Sequence, residues 1–250
     1  MNFFDQYQRF YVTSETSPFP HRLNGRYRAI IEKNADRIAG SRVLDIASHD
    51  GRWSFAALQA GARHVTGVEP RQELIENAHQ SFAHYGMEKK QYDFICGDVF
   101  TAITNQQFDV VLCLGFFYHT TRHPELLAMI DRTGARLVII DTEVTPLEDE
   151  IPVVPNNHPR MIYKNPFVVQ LLKDEVGDQQ MACQDAMTRD GYTLVARPSR
   201  AATLYLAEHF GYCVTMYDWP EHFDAYPEHA EYMTDYKGRW RETFYLSKTE

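Results

Sequence analysis

The stretch "GFFYHTTRH", residues 115–123, holds a histidine two positions beyond an aromatic pair and four positions before the next histidine. His119 is the side chain here best suited to take a proton from a hydroxyl, because an imidazole of ordinary pKa is mostly neutral at pH 7. Asp141, at the end of the next apolar run, could orient that ring and stabilise its charged form. Three acidic positions recur upstream at the ends of short apolar runs: Asp45 in "VLDIAS", Glu69 before Pro70, and Asp98 after Gly97. A carboxylate at a strand tip can accept both hydroxyls of a ribose. One beside a glycine can take an adenine amino group. Arg22 and Arg26, with Tyr27, form a cationic group suited to a carboxylate.

These residues need a scaffold that brings strand ends together. From Val43 to Asp141, short apolar runs alternate with helical patterns. "RVLDIAS", "HVTGVEP", "YDFICGDVF", "FDVVLCLGFFYH" and "ARLVIIDTEV" read as strands; "GRWSFAALQAG", "RQELIENAHQSFAHYG" and "HPELLAMIDRTG" read as helices. Runs this apolar are buried on both faces. The pattern predicts an α/β fold: a doubly wound, mostly parallel seven-stranded sheet with helices on both faces and an antiparallel last strand. Before it, residues 1–42 form a helical cover with Ile30, Ile31, Ala35 and Ile38 on one face. Residues 43–144 are the core, and residues 145–198 an insertion serving as a lid, substrate segment or dimer contact, with a helix over "PFVVQLLKDEVG". Residues 199–250 add a helix capped by Ser199 and two last strands, "YCVTMYDW" and "RETFYLSK".

Ligands of such sheets bind beyond the carboxyl ends of the strands. The first turn, "ASHDG", carries a single glycine, Gly51, where a pyrophosphate cradle needs several. Ribose and adenine partners without that cradle imply a nucleoside ligand lacking a diphosphate. The set resembles the class I S-adenosylmethionine-dependent methyltransferases from Val43 to about Val144. By that resemblance Asp45 and Gly51 bound the first turn, with Ala47, Ser48 and His49 in place of small or glycine positions. Glu69 is the ribose acid, with Pro70 beside it. Asp98 is the adenine acid, flanked by Gly97 and Val99, and Leu114 and Gly115 end the fourth strand. The methionine part falls to Arg22, Arg26 or Tyr27. The acceptor pocket is expected from Tyr118, Glu143, His158, Tyr163, Arg197, Arg200, Tyr236 and Trp240.

The expected activity is methyl transfer from S-adenosylmethionine, leaving S-adenosylhomocysteine, to a small polar acceptor, with a sugar-like or phenolic hydroxyl as the leading class. N-methylation of a small amine and tRNA modification are alternatives within that chemistry. A nicotinamide-dependent oxidoreductase and a non-catalytic nucleoside-binding module are alternatives outside it, and the missing G-x-G-x-x-G counts against the first. Asp141, Glu143 and His158 could ligate Mg²⁺ or Mn²⁺, but a capping or substrate-binding carboxylate is the preferred reading.

A net charge of −9 over 250 residues and no Lys/Arg run disfavour a nucleic-acid partner. "MNFFDQYQRF" lacks a signal pattern and no run reaches membrane-spanning length, so a cytoplasmic protein with no membrane partner, possible as a homodimer, is expected. Of the four cysteines, three sit in apolar runs and are expected to be buried free thiols.

Overall fold

The computed structural model describes residues 2–13, 19–145, 167–173 and 191–248. Nine strands are described: β1 (Arg42–Ile46), β2 (His64–Glu69), β3 (Tyr92–Cys96), β4 (Val110–Leu114), β5 (Leu137–Glu143), β6 (Phe167–Lys173), β7 (Tyr192–Pro198), β8 (Cys213–Met216) and β9 (Arg241–Ser247). Seven form one sheet in the order β3-β2-β1-β4-β5-β9-β8. The first five run parallel, and β9 lies antiparallel between β5 and β8. The strand order reverses between β1 and β4, and there a ligand crevice opens in such sheets.

Period-two alternation explains the apolar runs. Val43, Val110, Leu112, Leu137 and Ile139 point to one face, packed on Trp53, Phe55 and Ile30. Leu44, Val111, Cys113, Val138 and Ile140 point to the other, packed on Leu126, Leu127 and Ile130. The central strands β1, β4 and β5 are therefore covered on both faces, as a parallel sheet requires.

The N-terminal cover begins with an aromatic clamp. Phe4 and Phe10 are fully buried; Phe3 stacks on Tyr27, and Phe10 packs on Phe55. Helix Pro20–Ile30 follows and carries Arg26. Its Gly25 accepts the close approach of Met233, whose Sδ would lie 2.5 Å from any added Cβ. Met233 belongs to the turns and short helices between β8 and β9, which pack Trp219, Met233 and Tyr236 against Ala29.

Three expectations change. Where the pattern of "PFVVQLLKDEVG" predicts a helix, Phe167–Lys173 is strand β6, paired antiparallel with β7 in a separate two-stranded ribbon. A short apolar run cannot be assigned by periodicity alone, and here the partner strand, about 25 residues on, supplies the hydrogen bonds. The third strand ends at Cys96, so Asp98 stands past it, capping helix Val99–Ala102 through the Phe100 N–H at 3.0 Å. Cys113 is a buried thiol as expected, while Cys96 and Cys213 are exposed.

Candidate active site

A cleft of about 330 Å³ opens at the carboxyl ends of β1 to β4. Its floor is the turn "ASHDG". Ala47, His49 and Gly51 have φ values of 54°, 53° and 74°, so alternate residues sit in the left-handed region. That is glycine's territory, and two of the three places are held by other residues at a cost of roughly 1–2 kcal/mol each. The turn is stitched down on three sides. The Ser48 N–H donates to the Val68 carbonyl at 3.0 Å, and the His49 N–H to Glu69 Oε2 at 3.0 Å. Buried Asp50 takes the Arg52 Nε at 2.6 Å and the Thr13 hydroxyl at 2.6 Å, which ties the N-terminal cover to the turn. Despite burial, the arginine beside it and the bonds from His49 and Thr13 hold the Asp50 carboxyl well below the usual range. Gly51 cannot be relaxed in the same way, because a Cβ there would meet Phe94 at 2.8 Å.

Glu69 ends β2 on the cleft wall, 2% exposed. Its Oε1 accepts from the Arg71 N–H at 3.2 Å and Nε at 3.0 Å, so its orientation is fixed while lone pairs remain for a ligand. Gly97, Asp98 and Val99 form the next wall, with Phe116 across from them. Arg122 lies 3.7 Å from Asp98 Oδ2 and stacks on Phe100 at 3.6 Å.

The far end of the cleft is cationic. Arg26, over Trp53 at 5.0 Å, and Arg241 both line it, and both contact one oxygen, Asp141 Oδ1, at 3.1 and 2.9 Å. Asp141 is fully buried and also accepts from the Tyr236 hydroxyl at 2.8 Å and Thr243 at 2.8 Å through Oδ2. Burial opposes ionisation there, but the two guanidinium groups win and hold its pKa down at about 2. Tyr118 lies under Arg241 at 5.2 Å, and His119 is beside it in the turn Phe117–His119. Burial pushes the His119 ring down to about 4. Glu143 opposes the shift, and Arg241, Arg197 and Arg71 add to it. The turn is braced by His123, whose Nε2 contacts the Phe117 carbonyl at 2.8 Å and whose ring packs on Phe167 of β6.

Several residues named from the sequence meet at this cleft: Arg26, Ala47, His49, Glu69, Pro70, Gly97, Asp98, Val99, Leu114, Gly115, Tyr118 and His119. Others act behind it or elsewhere. Arg22 is bound bidentately to Asp235 at 2.6 and 2.7 Å. Tyr27 stacks on Phe3 and lines a separate hollow. Asp45 is buried against Ser54 Oγ at 2.6 Å, its pKa raised to about 7 by burial, and Ser48 and Gly51 shape the turn from beneath. Asp141 was expected to orient His119, but its oxygens are engaged by Arg26, Arg241, Tyr236 and Thr243. Glu143 pairs with Arg197 at 2.6 Å, and Arg200 with Glu242 at 2.8 Å, both off the cleft wall. Tyr236 lies buried beneath Asp141, and Trp240 is 58% exposed. His158 and Tyr163 lie outside the described residues, among which no three His, Cys, Asp or Glu side chains group as metal ligands.

Sequence reasoning missed Arg52, Trp53, Arg71, Phe116 and Arg241 on the wall. Arg71 had a local signal, two residues after Glu69. Arg241 had none, since only the pairing of β9 with β5 sets it opposite Glu143 and next to Asp141.

Comparison with known proteins agrees with this geometry. Residues 43–137 match the family model of a methyltransferase domain. A tRNA U34 carboxymethyltransferase of Nautilia profundicola is 27% identical over 136 residues, covering 52% of this chain and 43% of its own. Ribosomal RNA large subunit methyltransferase I of Klebsiella pneumoniae is 31% identical over 80 residues, covering 30% of this chain and 20% of its own. The chain thus spans less than half the length of either relative. The structure of the N-terminal domain of EvdMO1 with SAH bound shares the fold, with a TM-score of 0.60 and 15% identity over 90% of this chain and 80% of that one. The strand order, the fold shared with the SAH-bound structure and the matched model together show a methyltransferase domain over residues 43–137, built on the class I fold.

Proposed function

We propose that the protein moves a methyl group from S-adenosylmethionine to an oxygen of a small polar molecule. The observation that carries the reading is the cleft with Glu69 at one wall, Asp98 at the next and Arg26 at the far end. The residues fit the donor: Glu69 keeps lone pairs for the ribose hydroxyls, Asp98 and Val99 suit the adenine edge and face, and Phe116 offers a second apolar wall. Arg26 suits the methionine carboxylate, since its side chain lines the cleft over Trp53. The bound donor supplies an activated methyl on a sulfonium. The chain's own task is to align the acceptor and exclude water. Tyr118 and neutral His119 face the acceptor end, where His119 can accept a hydrogen bond from the acceptor or receive its proton. Glu143, Arg197, Arg200, Tyr236 and Trp240 support that end from behind it.

The relatives' names favour a second reading, transfer to RNA. Against it stand the net charge of −9 and arginines that sit inside a small cleft, paired with carboxylates, instead of spread over a face. Labelled methyl transfer from S-adenosylmethionine to bulk tRNA and to a panel of small hydroxy and carboxylic acids tests both. Labelling of small molecules alone supports the first reading, and labelling of tRNA overturns it.

A further inference from the structure

Among the described residues, the acceptor end holds more positive than negative charge. Arg26 and Arg241 converge on a single oxygen of Asp141, which Tyr236 and Thr243 also satisfy. Glu143 is the next carboxylate, and it is bound to Arg197 at 2.6 Å, leaving Arg241 Nη1 at 3.7 Å. Among the described residues, three guanidinium groups therefore face two carboxylates. The neighbouring Arg22 and Asp235 neutralise each other. Arg241 is buried, and its Nη2 lies 3.6 Å from where a Cβ on Gly115 would stand, at the tip of β4 beside Tyr118 and His119. The donor adds to the imbalance, because its ammonium and sulfonium outnumber its carboxylate. Like charges this close around the buried Arg241 are costly unless an anion joins them.

We propose that the acceptor is an anion, a carboxylate seated on Arg241, and that Arg241 is the residue that sets this specificity. The proposal rests on the methyl-transfer reading above. The acceptor oxygen would use a lone pair it already has: a C–O bond forms, the C–S bond breaks with its electrons left on sulfur, and a methyl ester and a neutral thioether result. No proton has to be removed, which suits a site whose histidine is a weak base. One negative and one positive charge cancel, so a buried cationic site loses its reason to hold the product.

Binding, independent of turnover, tests this. Calorimetry with S-adenosylhomocysteine comes first; no binding there would sink the methyl-transfer reading itself. The loaded protein is then titrated with benzoate and with benzamide, which has the same shape without the charge. Benzoate should bind on the order of tenfold to a hundredfold more tightly, the range for hydrogen bonds to a charged group. Its affinity should rise further when S-adenosylmethionine replaces S-adenosylhomocysteine. Arg241→Met should abolish the preference, and Arg241→Lys should keep part of it. Should the Met variant fail to fold, the preference in the wild-type protein and its decline with added salt still decide. Equal affinity for the two probes in a protein that binds S-adenosylhomocysteine would overturn the inference and leave the methyl-transfer reading standing. A preference that survives Arg241→Met in a folded protein would remove Arg241 from the role.

Discussion

Replacing Asp141 by Asn tests the central electrostatic arrangement. The carboxylate is fully buried and stands between Arg26 at 3.1 Å and Arg241 at 2.9 Å, with Tyr236 and Thr243 donating to it as well. An amide keeps one acceptor oxygen, turns an NH₂ toward donors, and removes the buried counter-ion that Arg26 and Arg241 share. Removing one partner of such a buried set costs about 3–5 kcal/mol. For a chain of this size that is a fall in Tm of roughly 6–20 °C. Part of the loss is linked to protons. The folded pKa of about 2 lies below the ordinary 3.8, so the carboxylate contributes about 2–3 kcal/mol that is fully present above pH ~4 and vanishes as pH falls toward 2. The gap between wild type and variant should therefore be constant from pH 5 to 8 and narrow by about 2–3 kcal/mol below pH ~4. Urea melts of both proteins across that range measure it. A loss under about 1 kcal/mol at pH 7, or a gap that widens in acid, would refute the reasoning.

Three further outcomes are expected. Glu69→Ala should weaken S-adenosylhomocysteine binding by on the order of 1.5–3 kcal/mol by calorimetry, and unchanged affinity in a folded variant would reject Glu69 as the ribose partner. Arg26→Met should weaken it by a similar margin, and cofactor binding should protect amides 19–31 from hydrogen exchange in the wild type; neither effect is expected if Arg26 serves only Asp141. In the first turn, Ala47→Gly should be neutral to about 1 kcal/mol stabilising, because it relieves a φ of 54° while adding chain entropy to the unfolded state. Gly51→Ala should cost more than about 2 kcal/mol, since it adds both a strained φ of 74° and a contact at 2.8 Å. Thermal melts in which the two substitutions behave alike would contradict the geometry of the turn.

The amino-acid pattern determined the sheet and one half of the cleft. Doubly covered strands such as "VVLCL" must be apolar at every position, and that signal is local. Glu69 and the 98–99 pair follow from it, because a residue at a parallel strand's carboxyl end stands at the ligand edge whatever packs elsewhere. Tertiary structure decided the other half. Asp141 reads as a free strand-tip carboxylate until β9 pairs antiparallel with β5 and brings Arg241 and Thr243 alongside it, about 100 residues later in the chain. Arg22 and Arg26 share one helix face and read as one cluster, yet Arg22 meets Asp235 and Arg26 meets Asp141 at the cleft, a distinction set by which elements dock on helix Pro20–Ile30. The ribbon of β6 and β7 was hidden for the same reason: a strand's hydrogen bonds depend on its partner, whereas a helix closes its own. Charge pairing and strand pairing between distant segments carry no sequence period, so only the folded chain reveals which arginine meets which carboxylate.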